Sequence, residues 1–308
     1  MIGGVRTAAG VKPAAARASR RSLLRLATPY LYIAPALLIY ACFTLVPLGH
    51  TVLLSFFTWD GITAKTWHGI GNYRAIVRDP QLRAVFWHPF VLIVFYSVIP
   101  IGLGVAIAAT MTRIRIRGLT FFRALLFLPQ VIATVSVALA WQNIYALDGP
   151  LNGLLSAVGL KSVTRAWLGD WNLALPSVGL IGTWFTFGFC MVLFLAGAQK
   201  IPRELFESAR VDGAGAWQET RYVLVPGIRR EMVFALVLTV INALRTFDIS
   251  YVLTKGGPGL QTDVPSYEVY RQAFVLGNVG QAAAWGVALT LLLLVIVIPL
   301  TRLEGRRS

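Results

Sequence analysis

Few residues in this chain have side chains suited to catalysis, and those few are scattered. The three histidines, His50, His68 and His88, form no His-Glu-x-x-His motif, and no cysteine is spaced from a histidine as zinc ligands are. None of the lysines directly follows a glycine, so the chain has no phosphate-binding loop ending in Gly-Lys. The sequence therefore argues against a metalloenzyme and against a chain that hydrolyses nucleotides by itself.

One apolar run contains a group of polar side chains. On a helical wheel the first four lie within an arc of about 120°, and the fifth lies beside them: Thr239, Asn242, Arg245, Thr246 and Asp248. Polar groups at membrane depth are costly, so a stripe of this kind favours a water-filled path through the protein. The alternative is that Arg245 and Asp248 pair with each other and only fix the end of the helix.

The loop 199–231 is the most charged connection in the chain. Pro202 is suited to a helix start and Gly213 to a left-handed helix end, so a short helix is predicted between them, followed by a second over 214–222. The first helix is amphipathic: Leu205, Phe206 and Ala209 lie on one side, and Arg203, Glu204, Glu207 and Arg210 lie on the other. The pattern alone is compatible with a helix resting on a membrane surface or with one docking on a partner.

The elements that must position these residues are apolar helices. Hydrophobic residues make up 56% of the 308-residue chain and charged residues only 13%, with a mean hydropathy of +0.68, which excludes an ordinary soluble enzyme. Runs of about 20 apolar residues can each cross a bilayer as a helix. The sequence predicts an all-α integral membrane protein with six spans, at 30–57, 85–110, 124–145, 175–198, 232–253 and 282–300.

The basic residues predict the orientation of these spans. About two thirds of the 28 lysines and arginines lie in the N-terminal tail 1–29, the connections after the second and fourth spans, and the C-terminal end. Because basic residues accumulate on the cytoplasmic side, both termini and the loop 199–231 are predicted to be cytoplasmic. The charge of +15 is thus a sign of membrane topology, and no nucleic-acid partner is needed to explain it. The predicted domains are the tail 1–29 and a six-span domain over 30–308.

The loop sequence ESARVDGAGAWQETRYVLVP, residues 207–226, resembles the cytoplasmic signature of binding-protein-dependent ABC importer permeases. Four positions match that signature at its spacing: Glu207, Ala209, Gly213 and Pro226. Three positions differ by small or similarly shaped residues: Ser208, Val223 and Val225. Four more segments are similar to the carbohydrate-importer branch, which includes the maltose-type and glycerol-phosphate-type permeases: 67–76, 119–132, 149–155 and 246–262.

The resemblance implies a type I ABC importer permease in a prokaryotic inner or plasma membrane, with no catalytic residue, metal or cofactor of its own. It implies that the loop 199–231 contains a helix coupling the permease to a separate ATP-hydrolysing subunit, through Leu205, Phe206, Glu207, Ser208, Ala209, Asp212, Gly213 and Pro226. A second permease subunit, an extracytoplasmic binding protein and a carbohydrate substrate are also implied. The polar residues 239–248 would then offer hydrogen bonds to sugar hydroxyls.

Two other functions are compatible with six apolar spans. The first is an ion-coupled secondary transporter acting as a dimer, for which inverted internal repeats would be expected; none is visible in the sequence. The second is a membrane-embedded enzyme, which the scarcity of catalytic side chains disfavours.

Small residues at four-residue spacing also predict two seams where helices approach closely. One seam is Gly102, Ala106 and Thr110, and the other is Gly182, Thr186 and Cys190.

Overall fold

Helices dominate the computed structural model, which describes Gly4 and residues 30–113 and 118–305. Within these residues, five helices are long and apolar enough to cross a membrane, or six if one bent pair counts as a single span. The prediction of a mostly helical membrane protein is confirmed at this level.

The helices are numbered here in chain order. They are α1 (Tyr30–Leu54), α2 (Gly71–Arg78), α3 (Pro80–Arg113), α4 (Leu119–Phe127), α5 (Thr134–Ile144), α6 (Pro150–Ala157), α7 (Ala174–Ala198), α8 (Arg203–Val211), α9 (216–227), α10 (Arg229–Leu244), α11 (Asp248–Leu253), α12 (Pro265–Tyr270) and α13 (Val279–Gly305). Two short strands, β1 (Phe57–Thr58) and β2 (Thr66–Trp67), pair antiparallel with Phe57 opposite Trp67. The chain divides into two units, residues 1–51 and 52–308. The sites described below all lie within the second.

Helix α7 is the most buried long helix of the described chain, and small residues bring it close to α3. A Cβ atom at Gly182 would lie 1.9 Å from the ring of Tyr96, so only glycine fits there. The hydroxyl of Thr186 donates to the carbonyl oxygens of Gly182 at 2.7 Å and Tyr96 at 3.1 Å. The predicted seam at Gly182, Thr186 and Cys190 is confirmed, since all three are buried.

The matching seam on α3 lies two residues away from the predicted one. Gly102, Ala106 and Thr110 are exposed, whereas Gly104 and Ala108 are buried. A Cβ at Gly104 would lie 3.0 Å from the ring of Phe194 on α7. Small residues recur on two sides of this helix, and the spacing did not indicate which side meets α7.

The third apolar run is not one straight span over 124–145, as the sequence predicted. Its two halves, Thr120–Val131 and Thr134–Ile144, are bent by 98°. The bend follows a 3₁₀ turn, Leu128–Val131, that contains Pro129, after which Ile132 and Ala133 have extended backbone angles. Proline lacks the N–H group that would continue the α-helical hydrogen bonds, so the helix ends and starts again in a new direction.

The fifth apolar run is also interrupted. Helix α10 ends at Leu244, and α11 begins at Asp248. The predicted span 232–253 is therefore two helices joined by Arg245, Thr246 and Phe247, where Phe247 has φ −129° and ψ −58°. The helical wheel used for the polar stripe assumed a continuous helix, and that assumption holds only to Leu244, the last residue of α10.

Candidate functional site

A polar cavity of about 360 Å³ lies at the interruption between α10 and α11. Four of the five predicted polar residues line it, namely Asn242, Arg245, Thr246 and Asp248. Residues of α3, α5, α7, the junction and α11 complete the wall: Tyr96, Thr134, Phe185, Thr186, Phe247 and Ile249. Three aromatic rings among convergent polar groups form a wall typical of sites for small polar ligands.

Thr239, the fifth predicted residue, does not line this cavity. Its side chain is 1% exposed, and its hydroxyl donates to the carbonyl oxygen of Ala235, four residues earlier, at 2.8 Å. A threonine hydroxyl inside a helix commonly satisfies itself in this way. Thr239 therefore packs inside the protein, one helical turn from the cavity wall.

Arg245 and Asp248 do not pair with each other among the described residues. Both side chains are exposed, and no ion pair within 4.0 Å joins them. Their charges face the same cavity from the two sides of the helix interruption. The structure therefore does not support the alternative in which Arg245 and Asp248 pair with each other and only fix the end of the helix.

The sequence did not predict four of the cavity-lining residues, Tyr96, Thr134, Phe185 and Thr186. Each belongs to an apolar run, and the spacing of Thr186 indicated only a seam between helices. They reach the cavity because α3, α5 and α7 converge beside the α10–α11 junction. The bend before Thr134 contributes directly, because it places the first residue of α5 in the cavity wall.

The loop 199–231 contains the predicted helix. Helix α8 covers Arg203–Val211, directly after Pro202, and Gly213 follows it with φ +80°. Nothing lies within 4 Å of a Cβ built at Gly213, so its backbone angle, not its space, requires glycine. The second helix begins at Ala216 and continues to Gly227, five residues beyond the predicted end.

The apolar side of α8 is divided between the interior and the surface. Phe206 is 7% exposed and packs with Leu224, Ile228 and Phe194 in a buried cluster. Leu205 remains 51% exposed. Phe206 therefore anchors α8 to its own chain, in contrast to the predicted role in which it faces a partner.

An outward-facing groove of about 490 Å³ lies beside α8. Five of the predicted coupling residues line it, together with Ile201, Tyr222, Val223 and Gly227: Leu205, Ser208, Ala209, Asp212 and Pro226. Glu207 is exposed and lines a different cavity, between α8 and the ends of α3 and α7. Tyr222 and the nearby Trp217 are 73% and 75% exposed. Of the two, only Tyr222 lines the groove, while Trp217 lies on the same helix; large exposed aromatic groups are typical of surfaces that bind another protein.

Glu219 holds this loop in place, although the sequence analysis did not single it out. Its side chain is 3% exposed and accepts hydrogen bonds from Arg210 of α8, at 2.7 Å, and from Nε of Arg113 at the end of α3, at 2.8 Å. Burial by itself raises the pKa of Glu219, but the hydrogen bonds from Arg210 and Arg113 outweigh it and the pKa is lowered. Glu219 is therefore a carboxylate that binds a membrane-spanning helix to the loop.

His88 has a structural position. It is 7% exposed, and its Nδ1 lies 2.6 Å from the carbonyl oxygen of Asp263. In the described residues, no group of three or more His, Cys, Asp and Glu side chains is arranged to hold a metal ion.

Comparisons with known proteins agree on one family. The model of the family described as "Binding-protein-dependent transport system inner membrane component" matches residues 99–305. The chain is 36% identical over 283 residues to the "Probable ABC transporter permease protein YurN" of Bacillus subtilis, covering 90% of this chain and 94% of that protein.

Two other relatives have names that include a sugar. The "Diacetylchitobiose uptake system permease protein NgcF" of Streptomyces coelicolor is 32% identical, with 89% and 82% of the two chains covered. The "Trehalose/maltose transport system permease protein MalF" of Thermococcus litoralis is 31% identical, with 88% and 90% covered.

Two solved structures share the fold. One is a bacterial ABC transporter involved in the import of the acidic polysaccharide alginate, with a TM-score of 0.77 at 22% identity, covering 94% of this chain and 98% of that one. The other is a bacterial alginate ABC transporter in complex with an alginate pentasaccharide-bound periplasmic protein, with a TM-score of 0.76 at 21% identity and 93% and 96% covered.

Proposed function

The chain belongs to the binding-protein-dependent transport system inner membrane components, and on that premise we propose that it is a permease subunit that imports a carbohydrate with energy from ATP. It is a multi-pass membrane protein. The single observation that best supports a path for a polar solute is the cavity at the α10–α11 junction. Asn242, Arg245 and Asp248 are exposed there, at a break in an otherwise apolar run.

A sugar is the substrate class that this wall and the relatives jointly favour. The two relatives named for sugars cover most of this chain. The cavity offers amide, hydroxyl, guanidinium and carboxylate groups, which can donate to and accept from hydroxyl groups. The rings of Tyr96, Phe185 and Phe247 provide the apolar part of the wall.

The energy source is proposed to be a separate ATP-hydrolysing subunit that docks on α8 and its groove. Exposed Leu205, Ser208, Asp212 and Pro226 would face that subunit, with Glu207 and Gly213 at the margin. Phe206 and Glu219 hold the docking surface from behind, through the buried cluster and the pair with Arg113. A second permease subunit and an extracytoplasmic binding protein complete the proposed assembly, and the complex of an alginate importer with a periplasmic protein supports the latter.

The proposed topology has six spans, with the bent α4–α5 pair as the third, and both termini in the cytoplasm. The distribution of basic residues supports it. Reporter fusions at Arg20, Gly213 and Gly305 should all report a cytoplasmic location, and an external signal at any of them would contradict it.

Uptake measurements test the function. The chain is expressed with its ATPase, partner permease and binding protein, and uptake of lactose, maltose, trehalose and diacetylchitobiose is measured. We expect uptake of at least one sugar, and we expect that uptake to stop when the ATPase is inactivated. Uptake that continues and follows a proton or sodium gradient would instead identify an ion-coupled carrier.

A further inference from the structure

A second cavity, of about 410 Å³, lies where α3 and α7 end and α8 begins. Its polar lining is mainly basic: Arg113 from α3, Arg123 from α4, and Arg203 and Arg210 from α8, together with Glu207 and Gln199. The other lining residues are Met111, Thr112, Leu195, Ala198, Ile201 and Phe206. This cavity is separate from the polar cavity at the α10–α11 junction and from the groove on the outer side of α8.

The carboxylates near this cavity do not balance its charge. Glu219 pairs with Arg113 and Arg210, and its hydrogen bond from Arg210, followed by its charge and that of Glu207, raises the pKa of Arg210. Arg123 and Arg203 form no ion pair with any side chain that the structure describes.

Arg123 supplies the second observation. Its Nε atom is buried, and no hydrogen-bond partner for it exists among the described residues. A buried donor of a charged group without a partner is costly, so such groups normally have a bound anion or an ion-pair partner. A guanidinium group forms two parallel hydrogen bonds with a phosphate, which makes phosphate the anion best suited to an arginine-lined cavity.

We propose that this cavity binds a phosphate-bearing anion through Arg123 and Arg203, and that the headgroup of an anionic phospholipid is its source. Position favours the lipid. The cavity lies at the ends of two long apolar helices, α3 and α7, where the hydrocarbon region gives way to the headgroups. Basic groups at such a boundary attract anionic lipids. The bound headgroup would contact α8, so lipid composition would influence the docking surface.

The test measures lipid retention by the full-length chain. Wild-type protein and the variants Arg123→Gln and Arg203→Gln are purified in mild detergent, and retained phospholipids are identified by mass spectrometry. Arg221→Gln is the matched control, because Arg221 belongs to the same loop, is exposed and does not line the cavity. Affinity is then measured by titration with phosphatidylglycerol in phosphatidylcholine nanodiscs.

We expect wild type and Arg221→Gln to retain phosphatidylglycerol equally. Each cavity variant loses charge-assisted hydrogen bonds, which predicts an affinity about tenfold lower. Equal retention by all four proteins would overturn the proposal. A second result would also overturn it, namely that the cavity binds a carboxylate of the ATPase subunit. In that case adding the subunit releases no lipid, and Arg123→Gln weakens binding of the subunit but leaves lipid retention unchanged.

A separate arm distinguishes a soluble anion from a lipid. Thermal unfolding of wild type is compared in sodium phosphate and sodium chloride at equal ionic strength. Phosphate could raise the unfolding temperature of wild type but not of Arg123→Gln, while no protein retains lipid. That result would keep the anion site and make free phosphate, not a lipid, its ligand. If neither lipid retention nor the unfolding temperature differs between wild type and Arg123→Gln, the proposed site is wrong. Neither arm uses ATP or sugar, so failure here is distinguishable from failure of the proposed transport function.

Discussion

Arg113 donates a hydrogen bond from Nε to Oε2 of Glu219 at 2.8 Å, across 106 positions of sequence. The pair joins the last residue of α3 to α9, the helix that follows α8. Because Arg210 of α8 binds the other oxygen of the same carboxylate, Glu219 links α8 to the end of α3. Glu219 is thus a positioning residue for the proposed exchange between ATPase and membrane domain.

Replacing Glu219 with Gln should reduce uptake and lower stability by about 1–3 kcal/mol, since two arginines lose their charged partner. Uptake and ATP hydrolysis are measured in proteoliposomes, and co-purification of the ATPase is recorded. We expect hydrolysis to persist with less sugar moved per ATP. Arg113→Gln should behave alike, because it cuts the connection to α3 and leaves the Arg210 pair intact.

Lys200→Gln is the control for that experiment. Lys200 pairs with Glu231 at 2.9 Å, but its side chain is 74% exposed, and surface pairs of this kind contribute about 0–1 kcal/mol. Uptake per ATP should therefore equal that of wild type. A similar loss in Lys200→Gln and Glu219→Gln would show that any ion pair in this region matters, and that Glu219 has no special role.

Gly213→Ala should weaken docking of the ATPase, whereas Gly215→Ala should not. A residue with a side chain at φ +80° costs about 1–2 kcal/mol, and Gly215 has φ −72°, which any residue adopts. Co-purification of the ATPase in detergent provides the measurement. If both variants retain the ATPase and normal uptake, the turn after α8 is unimportant for docking.

Arg245→Gln and Asn242→Leu should each reduce sugar uptake about tenfold or more, because the wall of the polar cavity loses a hydrogen-bonding group. Thr239→Val is the matched control, since that hydroxyl already donates to its own helix away from the cavity. Initial rates are compared at equal amounts of membrane-inserted protein. A loss in Thr239→Val as large as in Asn242→Leu would place the path elsewhere on α10.

Stability should fall as the pH rises because of Asp263, which is fully buried in the connection between α11 and α12. Burial, and then the neighbouring Glu268, raise the pKa of Asp263 to about 8. The folded protein therefore binds more protons than the unfolded chain from about pH 4 up to pH 8, so stabilisation is lost across that range. Arg271, His88 and Tyr267 are the other titratable groups around it.

Asp263→Asn tests this pH dependence. An amide cannot ionise, so the variant should unfold at a higher temperature than wild type above pH 8, and the difference should shrink towards pH 6. Thermal unfolding in nanodiscs at several pH values provides the measurement. Parallel pH profiles for the two proteins would show that Asp263 does not titrate in this range.

Local features of this chain were predictable, and long-range ones were not. Helix α8 and the left-handed Gly213 follow from residues within one turn of each other, as Pro202 and the amphipathic pattern already indicate. The interruption at Arg245–Phe247 and the bend after Pro129 both lie within runs that average hydropathy identifies as single spans. Hydropathy measures transfer into lipid and contains no information about where a helix changes direction.

The sequence also did not predict which side chains on one helix face are buried and which are exposed. Leu205 and Phe206 are neighbours on one apolar face, yet one remains half exposed and the other is buried. The difference depends on Leu224 and Ile228, which α9 and the following residue bring behind α8. The partner of Glu219 likewise lies more than a hundred positions away, so its role depends on packing that the sequence pattern does not describe.

The burial of Phe206 also bears on how such a chain could evolve. Since Phe206 and Glu219 hold α8 from behind, the outward residues Leu205, Ser208 and Asp212 contribute little to folding and can change without unfolding the loop. After gene duplication, the permease could therefore come to bind a different ATP-hydrolysing subunit through substitutions at these exposed residues. The proposed sugar site at the α10–α11 junction would be unchanged, so the choice of ATPase subunit and the choice of substrate can diversify independently.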